Sequence, residues 1–486
     1  MCLYQLKMNR EFVINIILLL CSNLLIKLVF VFGIDARIQN LVGNETYGMY
    51  FEYFGFVFLF QFLNDPGIQN WNAQYVPKNR EKVGYNLNRL ITIKLILAVV
   101  FTTITVIASM IVGYTNQQMI FFLCINMILS TLFLFLRGTI AGLGHYRVDS
   151  VLSFLDKALM ILILGYLSWI STYKTQFEIS TFIYGQGLAF MLSCIIAGIF
   201  LYKKIIWESG SITLQYIKDV LKWSAPYVLI LIFMTSYNRL DGVMLGRMID
   251  DNSYQAGVYA AAYRFYDAAN MIGYLFAALL LPMFAANMHD HKILNSLKEI
   301  GLRFIVLSAS MIVLSIIFYG EKMLNVLFDE VTADFVAVLR LLILSYFMVA
   351  IAYIYGTMLV ACGKVRYLNY LFGIGLIVNI VLNVLLIPSY LAVGAAIATL
   401  FTQTFVLAGQ IYLVKKEINI GVTPREMVTL CTFLGLSTLL FYILSTTLAL
   451  HWVTVLSISI LICLLLSFIL KIVDKQDILH LLKREK

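Results

Sequence analysis

Apolar runs of about 20 residues recur along the whole chain, and each is long enough for one helix to cross the hydrocarbon core of a membrane. Only 13% of the residues are charged, whereas soluble proteins have about 25%. A membrane β-barrel is excluded, because its strands would alternate polar and apolar residues in segments of about 10. The sequence therefore predicts an all-α integral membrane protein.

We predict about fourteen transmembrane helices from windows of about 20 apolar residues. Their limits are 12–34, 46–63, 90–112, 118–136, 148–169, 179–201, 225–247, 256–284, 302–319, 334–360, 367–387, 391–413, 428–449 and 452–471. The first run exceeds the apolar core of a signal peptide, which is about 7–15 residues, and no small-residue cleavage site follows it. It is interpreted as a membrane span.

The basic residues divide unevenly between the two sides of these spans. Of the 35 Lys and Arg residues, the predicted outer loops contain only Arg37, Lys174, Arg247 and Lys322, and most of the others fall in inner segments. Cytoplasmic loops are enriched in Lys and Arg, so both termini are predicted to be cytoplasmic. The net charge of +9 thus reflects membrane topology and does not indicate nucleic-acid binding.

A short pattern recurs in the second half of the chain. Gly48 and Tyr50 at the start of the second span reappear as Gly257 and Tyr259 at the start of the eighth. Parallel repeats of this kind are a transporter design. We therefore predict two six-helix bundles related by an internal repeat, plus two C-terminal helices. The predicted boundaries are an N-terminal lobe at 1–202, a cytoplasmic linker at 203–224, a C-terminal lobe at 225–414, and two extra helices with a basic cytoplasmic tail at 415–486.

Charged residues also lie inside the spans, where a charge costs several kcal/mol unless it faces protein or water. At 1.5 Å per residue, six of them are predicted to form one layer about 9–16 Å below the outer ends of spans one, two, seven and eight. They are Lys27, Glu52, Arg239, Asp241, Arg264 and Asp267. Two interpretations stay open: neutralised pairs (Lys27 with Glu52, Arg264 with Asp267) that fasten helices, or a hydrated cavity that binds an anionic ligand.

Asp156 and Lys157 lie together in span five, about 12 Å above its inner end. They are candidates for an ion or proton path, and a helix-packing pair explains them equally well. The segment His289–His291 contains two histidines and an aspartate, but no further ligand stands nearby, so no metal site is predicted. No nucleotide-binding or catalytic motif is present, and we expect neither a cofactor nor enzymatic activity.

The segments 238–246 (NRLDGVMLG) and 256–264 (AGVYAAAYR) resemble the polysaccharide-export, or O-antigen flippase, family. That family belongs to the multidrug/oligosaccharidyl-lipid/polysaccharide exporter superfamily. Leu281-Pro282 after span eight, Asp65-Pro66-Gly67 after span two and Gly138-Thr139 after span four look similar to it as well. The resemblance covers essentially the whole chain.

The resemblance implies two helix bundles in a V, working by alternating access in the bacterial cytoplasmic membrane. The cargo would be a polyprenyl-pyrophosphate-linked oligosaccharide for surface polysaccharide biosynthesis, with other polysaccharide-assembly membrane proteins as candidate partners. Relatives carry basic residues in the cavity, and Lys27, Arg239 and Arg264 lie on the matching helices. The acidic members of the layer depart from this pattern, and they suit hydrogen bonds to sugars or coupling to H⁺ or Na⁺.

Three alternatives remain at this stage. A cation-coupled multidrug exporter on the same fold would use Glu52, Asp241 and Asp267 as its site. A peptidoglycan-precursor flippase would share both fold and cargo chemistry. A membrane-bound glycan polymerase or ligase is disfavoured, because such enzymes resemble one another in carrying a large outer loop that this chain lacks.

Overall fold

The computed structural model describes residues 24–79, 83–205, 213–249, 253–470 and 472, and within these residues the chain forms helices and no strand. The helices are α1 (residues 24–42), α2 (Asn44–Leu59), α3 (Gln61–Asn64), α4 (Ile68–Tyr75), α5 (Val83–Val112), α6 (Gln117–Gly142), α7 (Tyr146–Gly165), α8 (Ile179–Lys204), α9 (Leu214–Met248), α10 (Tyr254–Ala286), α11 (His291–Leu327), α12 (Ala333–Ala361), α13 (Val365–Ile418), α14 (Pro424–Thr447) and α15 (Trp452–Ile469). A π-helical segment, Val29–Asp35, lies within α1, and another, Tyr166–Ile170, follows α7.

In the described part of the chain, ten helices are long and apolar enough to cross a membrane, which confirms the all-α membrane class. One of them, α13, contains two predicted spans, 367–387 and 391–413. It kinks at Leu391 (φ 54°, ψ −134°), three residues after Pro388, whose ring cannot continue an α-helix unbroken. Residues 12–23 of the predicted first span lie outside the described residues, and the count of fourteen stays a prediction.

Several helices begin at side chains that accept hydrogen bonds from the otherwise unpaired N–H groups of the first turn. Thr213 caps α9 by accepting from the amide of Tyr216, and Asp290 caps α11. Thr423 and Glu426 form a reciprocal capping box at the start of α14. Residues 214–224 of the predicted linker are therefore the first turns of α9.

Two compact units make up the structure, Met1–Gly257 and Val258–Lys486, called here the N-terminal unit and the C-terminal unit. Helix α9 belongs to the first. Its Val220 packs in one buried cluster with Leu87 of α5, Phe135 of α6 and Leu201 of α8. In the C-terminal unit the last two helices pack on α11, where Phe441 and Val455 meet Leu314. The lobe boundaries at 202 and 225 stay predictions.

The recurring glycines, Gly48 at the start of α2 and Gly257 at the start of α10, lie where these two helix ends make close contact in the N-terminal unit. A methyl group on Gly48 would collide with the carbonyl oxygen of Ser253, and one on Gly257 would collide with the carbonyl oxygen of Asn44. The contact is reciprocal, and the predicted internal repeat would account for this. Gln39 strengthens it, because its amide donates to the Asn44 side chain (2.7 Å) and to the carbonyl of Gly257 (3.0 Å).

Helix α2 also packs closely against α9. Gly242 and Gly246 leave room on α9 for the ring of Phe51 and the carboxylate of Glu52. Small residues four apart let two membrane helices approach closely, because lipid supplies no hydrophobic drive and van der Waals contact must hold them together. These two glycines therefore bring α9 near enough for Glu52 to reach its partners.

We predict that Gly246→Ala destabilises the protein, because the added methyl group meets the Glu52 carboxylate. The expected loss is about 1–3 kcal/mol, typical of overpacking at a tight contact. Unfolding in mixed micelles titrated with dodecyl sulfate measures it. Gly198→Ala on α8 is the matched control, because a methyl group there meets nothing within 4 Å. Equal unfolding midpoints for the two variants would contradict the prediction.

Candidate functional site

A group of five charged side chains lies in the N-terminal unit, on α1, α6 and α7. It comprises Lys27, Arg137, Asp149, Asp156 and Lys157, and is called here the N-terminal charge cluster. Arg137 Nε lies 2.9 Å from Asp149 Oδ1, and Lys157 Nζ lies 3.7 Å from Asp156 Oδ2. Of the charged groups near Lys27, Asp156 has the largest electrostatic effect on its ammonium group. The cations Lys157 and Arg137 have the opposite effect.

The cluster has a net positive charge, because three cations face two carboxylates. Its side chains are partly exposed, from 15% for Asp156 to 26% for Lys157. Aromatic rings hold the Lys157 ammonium, which lies 4.7 Å from the ring centre of Phe30 and 5.6 Å from that of Phe190. Such a half-buried, positively charged group can attract an anion and still exchange it with water.

The helix that carries Lys27 continues beyond the predicted first span. The apolar run ends at residue 34, but the helix continues to Val42 through its π-helical segment. Lys27 therefore lies about 22 Å along the helix from Val42, and its depth in the membrane stays a prediction. The structure groups Lys27 with Asp156, in the middle of α7, which the sequence placed in a separate site.

Glu52 has partners other than the predicted Lys27. It is 3% exposed, its Oε1 lies 3.1 Å from Arg247 Nε, and its Oε2 accepts a hydrogen bond from Ser253 Oγ at 2.8 Å. The Arg247 guanidinium lies 3.6 Å from the ring centre of Tyr114, in the loop between α5 and α6. Burial and the nearby Glu52 carboxylate raise the pKa of Tyr114, so its phenol stays protonated. We call Glu52, Arg247, Ser253 and Tyr114 the Glu52 latch.

Arg239, on the same face of α9 as the latch, lies against a row of aromatic rings. Its guanidinium is 5.2 Å from the ring centre of Phe54 and 5.4 Å from that of Phe58 on α2. Asp241, two residues on, is 5% exposed. Both residues therefore lie within packed protein, and the cation–π contacts hold α2 to α9.

The other two residues of the predicted layer belong to the C-terminal unit. Arg264 is 5% exposed, and its guanidinium lies 5.6 Å from the ring centre of Phe328. Asp267, one turn further along α10, is half-buried and acts electrostatically on Tyr353 of α12. Their mutual pairing stays a prediction.

Sequence reasoning missed two buried lysines. Lys94 on α5 lies 2.8 Å from Asp65, which follows α3 and also accepts from the amides of Gly67 and Gln69. Lys298 on α11 is fully buried, donating to the carbonyl of Gly421 and to Glu426. A lone lysine in an apolar run must find an acid or a carbonyl, which is the signal that could have found Lys94. Both pairs tie helices together.

No three His, Cys, Asp or Glu side chains in the described ranges are arranged to hold a metal ion. The chemistry available in the charge cluster is therefore binding by cations and hydrogen-bond donors. Arg and Lys suit phosphate oxygens, since guanidinium forks and ammonium groups both donate to them.

Comparison with known proteins gives one family and several structural relatives. The model of the family described as "Polysaccharide biosynthesis protein" matches residues 12–288. An uncharacterized membrane protein of Methanocaldococcus jannaschii is 22% identical over 376 residues, which cover 75% of this chain and 88% of the relative. Its description states no function, so this similarity gives no functional information about the chain.

Two solved structures show the fold. The inward closed conformation of the lipid II flippase MurJ is similar with a TM-score of 0.71, at 14% identity, covering 96% of this chain and 99% of that chain. The inward-facing conformation of a multidrug resistance MATE family transporter of the MOP superfamily gives a TM-score of 0.64, at 14% identity, covering 80% and 94%. The chain thus has a fold shared by both transporters.

The Glu52 latch yields a prediction about stability. A double-mutant cycle of Glu52→Gln and Arg247→Gln should give a coupling of about 1–3 kcal/mol, since removing Arg247, whose side chain is 32% exposed, leaves the 3% exposed Glu52 carboxylate without its cation. Unfolding in mixed micelles measures each corner of the cycle.

The matched control for this cycle is Glu299 with Arg303, an (i, i+4) pair on α11 whose side chains are 28% and 34% exposed. Its coupling should be about 0.3–0.5 kcal/mol, because exposed pairs are screened by solvent. Couplings of equal size in the two cycles would show that Glu52 contributes no more than a surface ion pair.

Proposed function

The chain belongs to the polysaccharide biosynthesis protein family, and we propose from that membership that it is a flippase for polyprenyl-pyrophosphate-linked oligosaccharides. The cargo would move from the inner to the outer leaflet of the bacterial cytoplasmic membrane. Alternating access would carry its polar head, with no covalent chemistry. The multi-pass helical fold supports this proposal, as does the distribution of Lys and Arg, which favours cytoplasmic termini.

The observation that carries the proposal is the N-terminal charge cluster. A pyrophosphate needs cations in a place that water can reach, and the cluster offers three half-buried ones with a small net charge. Lys27, Arg137 and Lys157 would bind the phosphate oxygens, and Asp149 and Asp156 would limit the attraction so that the cargo can leave. Arg264 is a further candidate cation in the C-terminal unit. A coupling ion, H⁺ or Na⁺, would act on the carboxylates of the cluster.

A transport assay tests the function. The purified protein is reconstituted into liposomes that contain a fluorescent polyprenyl-pyrophosphate oligosaccharide in both leaflets, and a membrane-impermeant reagent that destroys the label is added. The protein should expose the lumenal half of the label, which stays protected in protein-free liposomes. A labelled peptidoglycan precursor and a cationic dye serve as competing cargoes. Faster transport of either one would replace the proposed cargo with that alternative.

The role of the charge cluster gives a separate prediction. Lys27→Gln and Lys157→Gln should each lower the transport rate by about tenfold or more, because each removes a charge-assisted contact to phosphate. Lys292→Gln, at an exposed residue in the first turn of α11, removes the same charge outside the cluster and should transport normally. If all three variants transport at the wild-type rate, the cluster is not the phosphate site.

A further inference from the structure

A second cationic site lies in the N-terminal unit, on α5 and α9, and none of its residues belongs to the charge cluster. Arg89 on α5 has its guanidinium 3.4 Å from the ring centre of Tyr216 on α9 and 5.0 Å from that of Tyr85. A guanidinium stacked on an aromatic face is fixed in its plane, and its donors then point outward from the ring edges. The arrangement prepares Arg89 to bind a planar or tetrahedral anion.

A polar network holds the rings in place. Asn86 donates to the Tyr75 hydroxyl at 2.8 Å and accepts from the Tyr216 hydroxyl at 3.3 Å. Tyr75 stacks on Trp71, with ring centres 4.7 Å apart. The Arg89 bracket, as we call it, consists of Trp71, Tyr75, Tyr85, Asn86, Arg89 and Tyr216. Three elements, α4, α5 and α9, therefore build one rigid site.

Arg89 has no carboxylate within ion-pair distance among the residues that the structure describes, and its buried Nε has no hydrogen-bond partner there. The acid nearest Tyr216 in sequence, Asp219, accepts a hydrogen bond from Gln215 at 3.1 Å. This contrasts with Arg137, whose charge Asp149 neutralises. Among the described residues, no carboxylate therefore neutralises Arg89.

The surroundings of the bracket are basic and lie at the predicted cytoplasmic ends of the helices. Exposed lysines stand close in sequence to the bracket or at the end of α8, which packs in the same apolar cluster. They are Lys78, Lys203, Lys204, Lys218 and Lys222. The cytoplasmic leaflet contains anionic lipids, which juxtamembrane basic residues attract. Tyr and Trp are also enriched at this depth of the bilayer.

We propose that the Arg89 bracket binds the phosphate group of a lipid in the cytoplasmic leaflet. The planar donors of Arg89 would hold the phosphate oxygens, and the exposed lysines would raise the local concentration of anionic headgroups. This chemistry does not depend on transport. Two lipids can supply it: an anionic phospholipid, or a polyprenyl pyrophosphate.

Native mass spectrometry of the full-length protein in detergent tests the proposal with short-chain phosphatidylglycerol as the probe. Phosphatidylcholine, whose headgroup is zwitterionic, is compared with it. The wild type should bind phosphatidylglycerol more tightly, and Arg89→Gln should weaken that binding by about tenfold, as expected for a charge-assisted contact. Arg147→Gln is the matched control, because Arg147 is an exposed arginine in the first turn of α7, and this variant should bind like the wild type.

Two further measurements complete the experiment. Tyr216→Leu keeps the cation but removes the ring under it, so it should also lose affinity and serves if Arg89→Gln does not fold. Displacement of phosphatidylglycerol by an equimolar short-chain polyprenyl pyrophosphate assigns the site to that lipid, and retention of phosphatidylglycerol assigns the site to phospholipid. Equal binding of the two phospholipids, or equal binding by the wild type, Arg89→Gln and Tyr216→Leu, overturns the proposal.

Discussion

A carboxylate in the hydrocarbon region of a membrane costs several kcal/mol unless nearby charges and donors replace water, and Glu52 shows how this chain meets that cost. Arg247 supplies the opposite charge and Ser253 a hydrogen bond. Neither could reach Glu52 if α9 carried a side chain at position 246. The Glu52 latch therefore requires the close approach of α2 and α9. Its ion pair and hydrogen bond in turn hold the two helices together.

The sequence predicts the membrane class and most helix limits, because hydropathy is a local property that a window of residues measures directly. It also finds the recurring glycines, Gly48 and Gly257, since both positions require close backbone contact. It does not predict the full length of the first helix, because a helix that leaves the membrane continues through polar residues at little cost, as α1 does to Val42. The end of an apolar run is then not the end of the helix.

Charge partners are harder to predict than spans for a related reason. Periodicity indicates which residues lie on the same face of a helix. Which residue of another helix lies opposite that face depends on how the helices pack. Arg247 looked like a loop residue, yet it neutralises Glu52, and Asp65 looked like part of a turn, yet it pairs with Lys94. Asp156 and Lys157 lie 3.7 Å apart, but the sequence does not indicate that Lys27 is their neighbour.

The two cationic sites of the N-terminal unit differ in how their charges are balanced, and this difference has a physical consequence. In the charge cluster Arg137 and Lys157 each have a carboxylate within 4 Å, which offsets much of their attraction for an anion. Among the described residues Arg89 contacts aromatic faces instead of a carboxylate, and these fix the guanidinium without neutralising it. A balanced site releases its ligand readily and suits a cargo that must move on. An unbalanced one suits a lipid that stays bound.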